Sequence, residues 1–291
     1  MSALGRTLSE TTLDTLLVAD YSSLEIGIQG DLCLRLFDDD QIVRAYADQL
    51  PKDQGGPEID MHSNNARNVF GVWLGWTVPE GQPYGGLTVD HIPVQEFKGH
   101  PFGKICRNLI KAIWYGMAYG KGAYGFSTLI GADGKMIGEE TAGRMVNALL
   151  DAVPGMRKWF AWVQEYVREY HGIYSLGGRW CDLSVEMESP DEWMHQRAFR
   201  RAYNFPMQAT GAEIIGDAML RIGRDKALRE MGYRICLQVH DELVLRGPEL
   251  YIVEAKKLVT GHMCAATANG TPLLFPVQVS AGHGGNYYDA K

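Results

Sequence analysis

Two short apolar runs, each delivering an aspartate at its end, constrain the fold of this chain more than any other feature. Leu16-Leu17-Val18-Ala19 ends at Asp20, and Arg234-Ile235-Cys236-Leu237-Gln238-Val239 ends at His240-Asp241-Glu242, more than 200 residues further on. The first run has the pattern of a buried strand, and the second that of a strand in a hairpin. The second continues past its acidic turn into Leu243-Val244-Leu245, which reads as a β-hairpin. Strand tips bring distant carboxylates to one rim of a sheet. Two carboxylates meeting there suit Mg²⁺, which prefers hard oxygen ligands, and two such ions roughly 3.5–4 Å apart clamp an in-line phosphoryl displacement. Taken alone, either aspartate more often simply ends a strand or opens a turn.

Between the two tips the sequence is mostly helical in pattern. A helix-like stretch follows Ser22, and a second spans 61–70. Residues 71–103 hold Pro79, Gly81, Pro83, Gly85, Gly86 and Pro93 without periodicity, which predicts a long loop or insertion. Helices are expected over 105–119, 139–150 and 156–171, then a hairpin over 173–180 around Gly177-Gly178. A helix over 191–203 is expected to stop at Pro206, with another over 209–231. A helix over 249–266 and a strand over 273–279 close the chain. Strands flanking a helical middle define an α+β class.

At 291 residues and 46% hydrophobic content the chain can bury a full core. No apolar run approaches the roughly 20 residues that span a bilayer, and no signal-peptide pattern opens the chain, so a cytoplasmic, membrane-free protein is expected. Five scattered cysteines, without metal-ligand spacing, are expected as reduced thiols. A net charge of -7 argues against a generally nucleic-acid-binding surface, but a phosphate groove needs only a local basic stripe. Such residues bunch at Lys98, Lys104, Arg107 and Lys111, and again at Arg197, Arg200 and Arg201.

On a helix, Arg107, Lys111, Tyr115 and Tyr119 fall at successive i+4 positions and form one stripe. The rise of about 1.5 Å per residue sets Arg107 and Lys111 about 6 Å apart, a spacing that suits neighbouring phosphates of a triphosphate. Tyr115 then presents a ring for a sugar or base. Basic and aromatic residues four apart also support an ordinary surface helix, and the stripe alone does not separate the two readings.

The ordered set of motifs separates them. Asp20-Tyr21-Ser22-Ser23-Leu24-Glu25 resembles motif A of the polymerase I (A) family of DNA polymerases, commonly DYSQIE. Arg107-x₃-Lys111-x₃-Tyr115-Gly116-x₂-Tyr119-Gly120 resembles its motif B, and Gln238-Val239-His240-Asp241-Glu242 its motif C. Asp60-Met61-His62 and Asn204-Phe205-Pro206-Met207-Gln208-Ala209-Thr210 are lesser matches in the same order.

The resemblance implies a palm with an antiparallel sheet plus mostly helical fingers: a tail over 1–13, palm over 14–30 and 205–291, and fingers over 31–204. It implies DNA-directed addition of dNMP to a primer 3′-OH, with two Mg²⁺ ions, or Mn²⁺ in their place, held by Asp20, Asp241 and the Tyr21 carbonyl. Glu242 would be an accessory carboxylate. Arg107, Lys111 and His62 would contact the triphosphate, Tyr115 the deoxyribose, and Tyr119 the neighbourhood of the templating base. Arg200, Asn204, Gln208 and His240 would face the primer-template. Glu25 and Tyr115 together would crowd a 2′-hydroxyl, favouring dNTPs over rNTPs, and the Tyr115 phenol predicts acceptance of dideoxynucleotides.

The chain departs from the family in several places. Gly27 stands where many members have Arg, and Trp114 replaces a common Asn. Segments of TGRLSS and NLQNIP type, the thumb, the exonuclease-like domain and any proofreading constellation are missing from this sequence. A split polymerase of phage type, in which a second polypeptide supplies thumb and upstream palm, is the expectation; self-association or a truncated piece are alternatives. A non-catalytic DNA-binding or assembly subunit is the competing functional reading.

Overall fold

The computed structural model describes residues 13–48, 60–129, 131 and 135–291. In chain order its elements are β1 Asp14–Tyr21, α1 Leu24–Phe37, α2 Gln41–Ala47, α3 Met61–Ala66, α4 Val94–Phe97, α5 Pro101–Ala118, α6 Ala123–Phe126, α7 Gly138–Ala152 and α8 Pro154–Tyr170. There follow β2 Gly172–Tyr174, β3 Trp180–Asp182, α9 Ser184–Met187, α10 Glu192–Arg224, α11 Lys226–Glu230, β4 Arg234–Val239, β5 Glu242–Pro248, α12 Ile252–Cys264 and β6 Val279–Gly284. The class is α+β.

The chain divides into two compact units. The first takes 13–24, Gly211–Pro272 and Val277–Lys291; the second takes Glu25–Thr210 and Leu273–Pro276. The first unit is built on an antiparallel sheet of order β4-β5-β1-β6. Alternation along β1 and β5 sends Leu17, Ala19, Leu243 and Leu245, all fully buried, to one face. Helix α12, with Ile252, Ala255, Val259 and Met263 buried, packs against β1 and β6. The Tyr21 hydroxyl donates to the Met263 carbonyl at 2.9 Å. Val18 and Val244 belong to the opposite face, where they pack with Ala290.

In the second unit, α3 packs on α5, whose buried side is Phe102, Cys106, Leu109, Ile110, Ile113, Trp114 and Met117. The His100 ring caps α5 by accepting from the Gly103 N–H, and Pro101 opens the helix where its missing N–H costs nothing. Helix α7 packs on α6 and α8, and the β2–β3 hairpin follows α8.

Three expectations are corrected. Pro206 does not interrupt: α10 runs unbroken through it. Proline there forfeits one backbone bond, but Ala198, Phe199, Ala202, Met207 and Ala209 are buried around it, and that burial outweighs the loss. The helix stops instead near Asp225, whose side chain caps α11 by accepting from the Leu228 N–H at 2.9 Å. The last strand is 279–284 rather than 273–279. The apolar run 273–276 lies in the second unit, where Leu274 N–H donates to Asp31 at 2.6 Å and the Phe275 ring meets Tyr46 edge-on. Residues 71–103 carry a π-helical turn up to Trp73, a Thr77–Thr88 bridge, a 3-10 turn over Val89–His91, helix α4 and the first turn of α5. Val78, Val89, Ile92 and Phe97 are buried there, so the segment is packed despite its prolines and glycines.

All five cysteines are free. Among the described residues no helix is long and apolar enough to cross a membrane.

Candidate active site

In the first unit the two distant strand tips meet. Asp20 on β1 sits in register with Glu242 on β5 and with Ser280 on β6. The β4–β5 hairpin turns at His240-Asp241, with His240 in the left-handed region at φ 54°. Tyr21 N–H donates to the Asp241 carbonyl at 3.3 Å, which ties the two motifs together through the backbone. Burial pushes the Asp20 carboxyl up to about 6, the neighbouring Asp241 and Glu242 charges push the same way, and Lys291 opposes them. Like charges crowded at a half-buried site favour whatever cation joins them.

Glu242 is 2% exposed. Its carboxylate accepts from the Tyr287 hydroxyl at 2.6 Å and pairs with Lys291 Nζ at 2.8 Å. Contacts with Glu242 first, then with Tyr287, raise the Lys291 pKa. A cavity of about 340 Å³ opens beside Asp20, Glu242, Ser280 and Lys291. Neither Tyr287 nor Lys291 was legible as a site residue, because 286–291 shows no periodicity and no motif.

The donor set suits Mg²⁺ in kind but not as a closed cage. Among the described residues no group of three or more His, Cys, Asp or Glu side chains stands ready to hold a metal ion. Mg²⁺ is commonly held by only one or two carboxylates, with substrate phosphates and water completing its octahedron. Asp20 and Asp241 fit that pattern.

The second unit assembles the basic and aromatic residues. Arg107 Nε pairs with Asp60 Oδ2 at 2.5 Å, and Asp60 caps α3 by accepting from the His62 N–H. Burial pushes Asp60 up, but hydrogen bonds from Arg107 and Ser63 more than offset it and hold the carboxyl below its ordinary value. The His62 ring lies 5.9 Å from the Tyr115 ring and 6.2 Å from the Trp114 ring. His62 is 4% exposed, and among the described residues neither buried ring nitrogen has a hydrogen-bond partner. Burial lowers its pKa to about 4; Asp60 opposes this, and Arg107 and Lys111 add to it. Lys111 is exposed, its ammonium 5.9 Å from the Tyr115 ring centre. His62, Arg107, Lys111 and Tyr115 therefore form one neighbourhood, with Asp60 as a member the sequence reading had not assigned a role.

A second cluster joins Glu25, Tyr119 and Gln208. The Gln208 amide donates to Glu25 and, at 3.2 Å, to the Tyr119 hydroxyl, which donates to Glu25 at 3.4 Å. Burial first, then Glu25, raises the Tyr119 pKa. Arg200, Asn204 and Gln208 follow one another at i+4 along α10. The stem of Arg200 crosses Gly120, where φ is +73° and an added Cβ would lie 2.5 Å from Arg200 Cγ.

Comparison with known proteins gives a consistent answer. A model of DNA polymerase family A matches residues 94–289. The chain is 30% identical over 277 residues to DNA polymerase I of Pseudomonas aeruginosa, covering 94% of this chain and 25% of that protein. It is 27% identical over 279 residues to the thermostable DNA polymerase I of Thermus filiformis, covering 95% and 27%. Among solved structures, the POL domain of Pol1 from M. smegmatis in complex with DNA primer-template and dNTP superposes with a TM-score of 0.69 at 27% identity, covering 97% of this chain and 41% of that one. The chain belongs to DNA polymerase family A. It spans about a quarter of the length of the curated relatives it matches.

Proposed function

We propose that this chain carries the catalytic centre of a DNA polymerase, adding dNMP to a primer 3′-OH under the direction of template DNA. The observation that carries the reading is the convergence of Asp20 and Asp241 on one end of one sheet, in a chain of this family. The likeness to a polymerase domain solved with primer-template and dNTP supports both ligands. The sheet-bearing unit is read as palm and the helical unit as fingers.

Asp20, Asp241 and the Tyr21 carbonyl would hold two Mg²⁺ ions, with Mn²⁺ as a substitute and Glu242 as an accessory carboxylate. Bound there, the ions would lower the pKa of the primer 3′-OH and offset charge on the leaving pyrophosphate. Arg107, oriented by Asp60, and Lys111 would bind the triphosphate and neutralise the departing group. His62 is neutral near pH 7, so its ring has an N–H to donate to a phosphate oxygen. The unsatisfied ring nitrogens support that role, since a buried polar group without a partner costs about 1–3 kcal/mol that a ligand would return. Tyr115 would pack on the deoxyribose and deny room to a 2′-hydroxyl, with Glu25 held beside Tyr119 by Gln208. Arg200, Asn204, Gln208 and His240 would contact primer-template.

Primer extension with Mg²⁺ tests the reading, run on the full chain alone and with a thumb-bearing polypeptide added. The expected result is dNMP incorporation, strong preference for dNTP over rNTP, and loss of incorporation in Asp241→Ala with the circular dichroism spectrum unchanged. Incorporation that survives Asp241→Ala would overturn the metal assignment. DNA binding without incorporation under either condition would make the chain a non-catalytic DNA-binding or assembly subunit.

A further inference from the structure

Glu242 stands beside the two aspartates, yet its carboxylate is already engaged. Tyr287 donates to Oε1 at 2.6 Å, Lys291 pairs with Oε2 at 2.8 Å, and Lys291 Nζ also donates to the Tyr287 hydroxyl at 3.1 Å. The Lys291 ammonium lies 5.2 Å from the Tyr287 ring centre. Three groups thus close a triangle around a side chain that is 2% exposed.

The segment that delivers Tyr287 and Lys291 is seated with care. Strand alternation puts Asp20 and Glu242 on the same face as Val18 and Val244, and Ala290, 1% exposed, packs on that pair. The backbone of 289–290 lies so close on β6 that a Cβ at Gly282 would collide with the Ala290 carbonyl. One at Gly284 would come within 2.8 Å of the Ala290 nitrogen. The Asn286 side chain accepts from the Tyr288 N–H at 3.0 Å and the Asp289 N–H at 3.1 Å, fixing the turn that leads in. Lys291 side-chain exposure is 56%, so its long stem is not held by burial; the carboxylate holds it.

We propose that Tyr287 and Lys291 are positioning residues that clamp Glu242 and keep it from joining Asp20 and Asp241 as a metal ligand. This rests on the reading of Asp20 and Asp241 as the ion-binding pair. A third free carboxylate would hold a divalent ion without substrate, since cation affinity rises with ligand charge. With the clamp in place the pair binds metal weakly until a nucleotide's phosphates complete the ligand set. Glu242 stays close to the pair without bonding the ion.

Mn²⁺ binding to the full-length protein alone, followed by electron paramagnetic resonance, tests the clamp. Lys291→Met and Tyr287→Phe should each tighten Mn²⁺ binding, the first on the order of tenfold. Lys291→Arg should keep wild-type affinity, and adding Glu242→Gln to Lys291→Met should return it there. Unchanged or weaker binding in both Lys291→Met and Tyr287→Phe overturns the proposal, as does tightening that persists in the double variant. Asp20→Asn separates the underlying reading: if that variant binds Mn²⁺ as well as wild type, the ion-binding pair itself is wrong. If it loses binding while Lys291→Met changes nothing, only the clamp is wrong.

Discussion

His62 shows how a single residue can tie stability to the condition of a site. Its pKa of about 4 lies below the ordinary 6.5 because burial disfavours the charged ring. Below pH 6.5 the unfolded chain takes up a proton that the folded chain refuses. His62 therefore favours folding fully above pH 6.5 and progressively less as pH falls toward 4, by up to about 3 kcal/mol. Asp20 acts in the opposite sense: its raised pKa means that stability is lost as pH climbs from 3.8 through about 6. His62→Phe should flatten the acid side of the stability curve relative to wild type, measured by urea unfolding at pH 4.5 and 7. An unchanged slope between those values would show that the ring is not buried as described. Gly27 is explained at the same scale. A side chain there would run into the Phe275 ring, so position 27 has no room for one. The sequence shows the glycine but not the ring it makes room for, since the two residues lie far apart in the chain.

Among the elements, strands with an apolar run were legible, even β4, whose Leu237 and Val239 are exposed, and the glycine-bearing β6 was not. Strands β1, β4 and β5 announce themselves through Leu16–Ala19, Ile235–Val239 and Leu243–Leu245. Strand β6 reads Val-Ser-Ala-Gly-His-Gly and has no such signal, because its job is to let another backbone approach. The run 273–276 looks more like a strand than β6 does, yet only Phe275 of it is buried, against Tyr46 and Gly27 rather than in a sheet. Pro206 misled for a related reason: local propensity marks a break, and packing on both sides overrides it. Gly282→Ala should displace the 286–291 segment from β6 and cost about 2 kcal/mol, the range for forced overpacking. Thermal unfolding checks this, and a melting temperature equal to wild type would contradict the seating of Ala290 on β6.

At the scale of the molecule, the acidic balance and the basic stripe are reconciled by location. A net charge of -7 coexists with His62 and Lys111 beside Tyr115 and with Arg107 near His62, so the proposed phosphate-binding neighbourhood needs no basic whole. The family and the α+β class were readable from the chain because the motifs that mark them stand in a fixed order. The placement of Tyr287 and Lys291 beside Glu242 was not, because they have no spacing of their own, and Asp60 stood in a motif match without showing that it pairs with Arg107. The central claim is that two aspartates from opposite ends of the sequence work as one ion-binding unit. Single-turnover dNMP incorporation by Asp20→Ala, Asp241→Ala and the double variant tests it most directly. If the claim holds, each single substitution costs on the order of a thousandfold and the double costs little more, because either loss already disables the unit. Losses that multiply in the double variant, or a single substitution that leaves the rate intact, would contradict it.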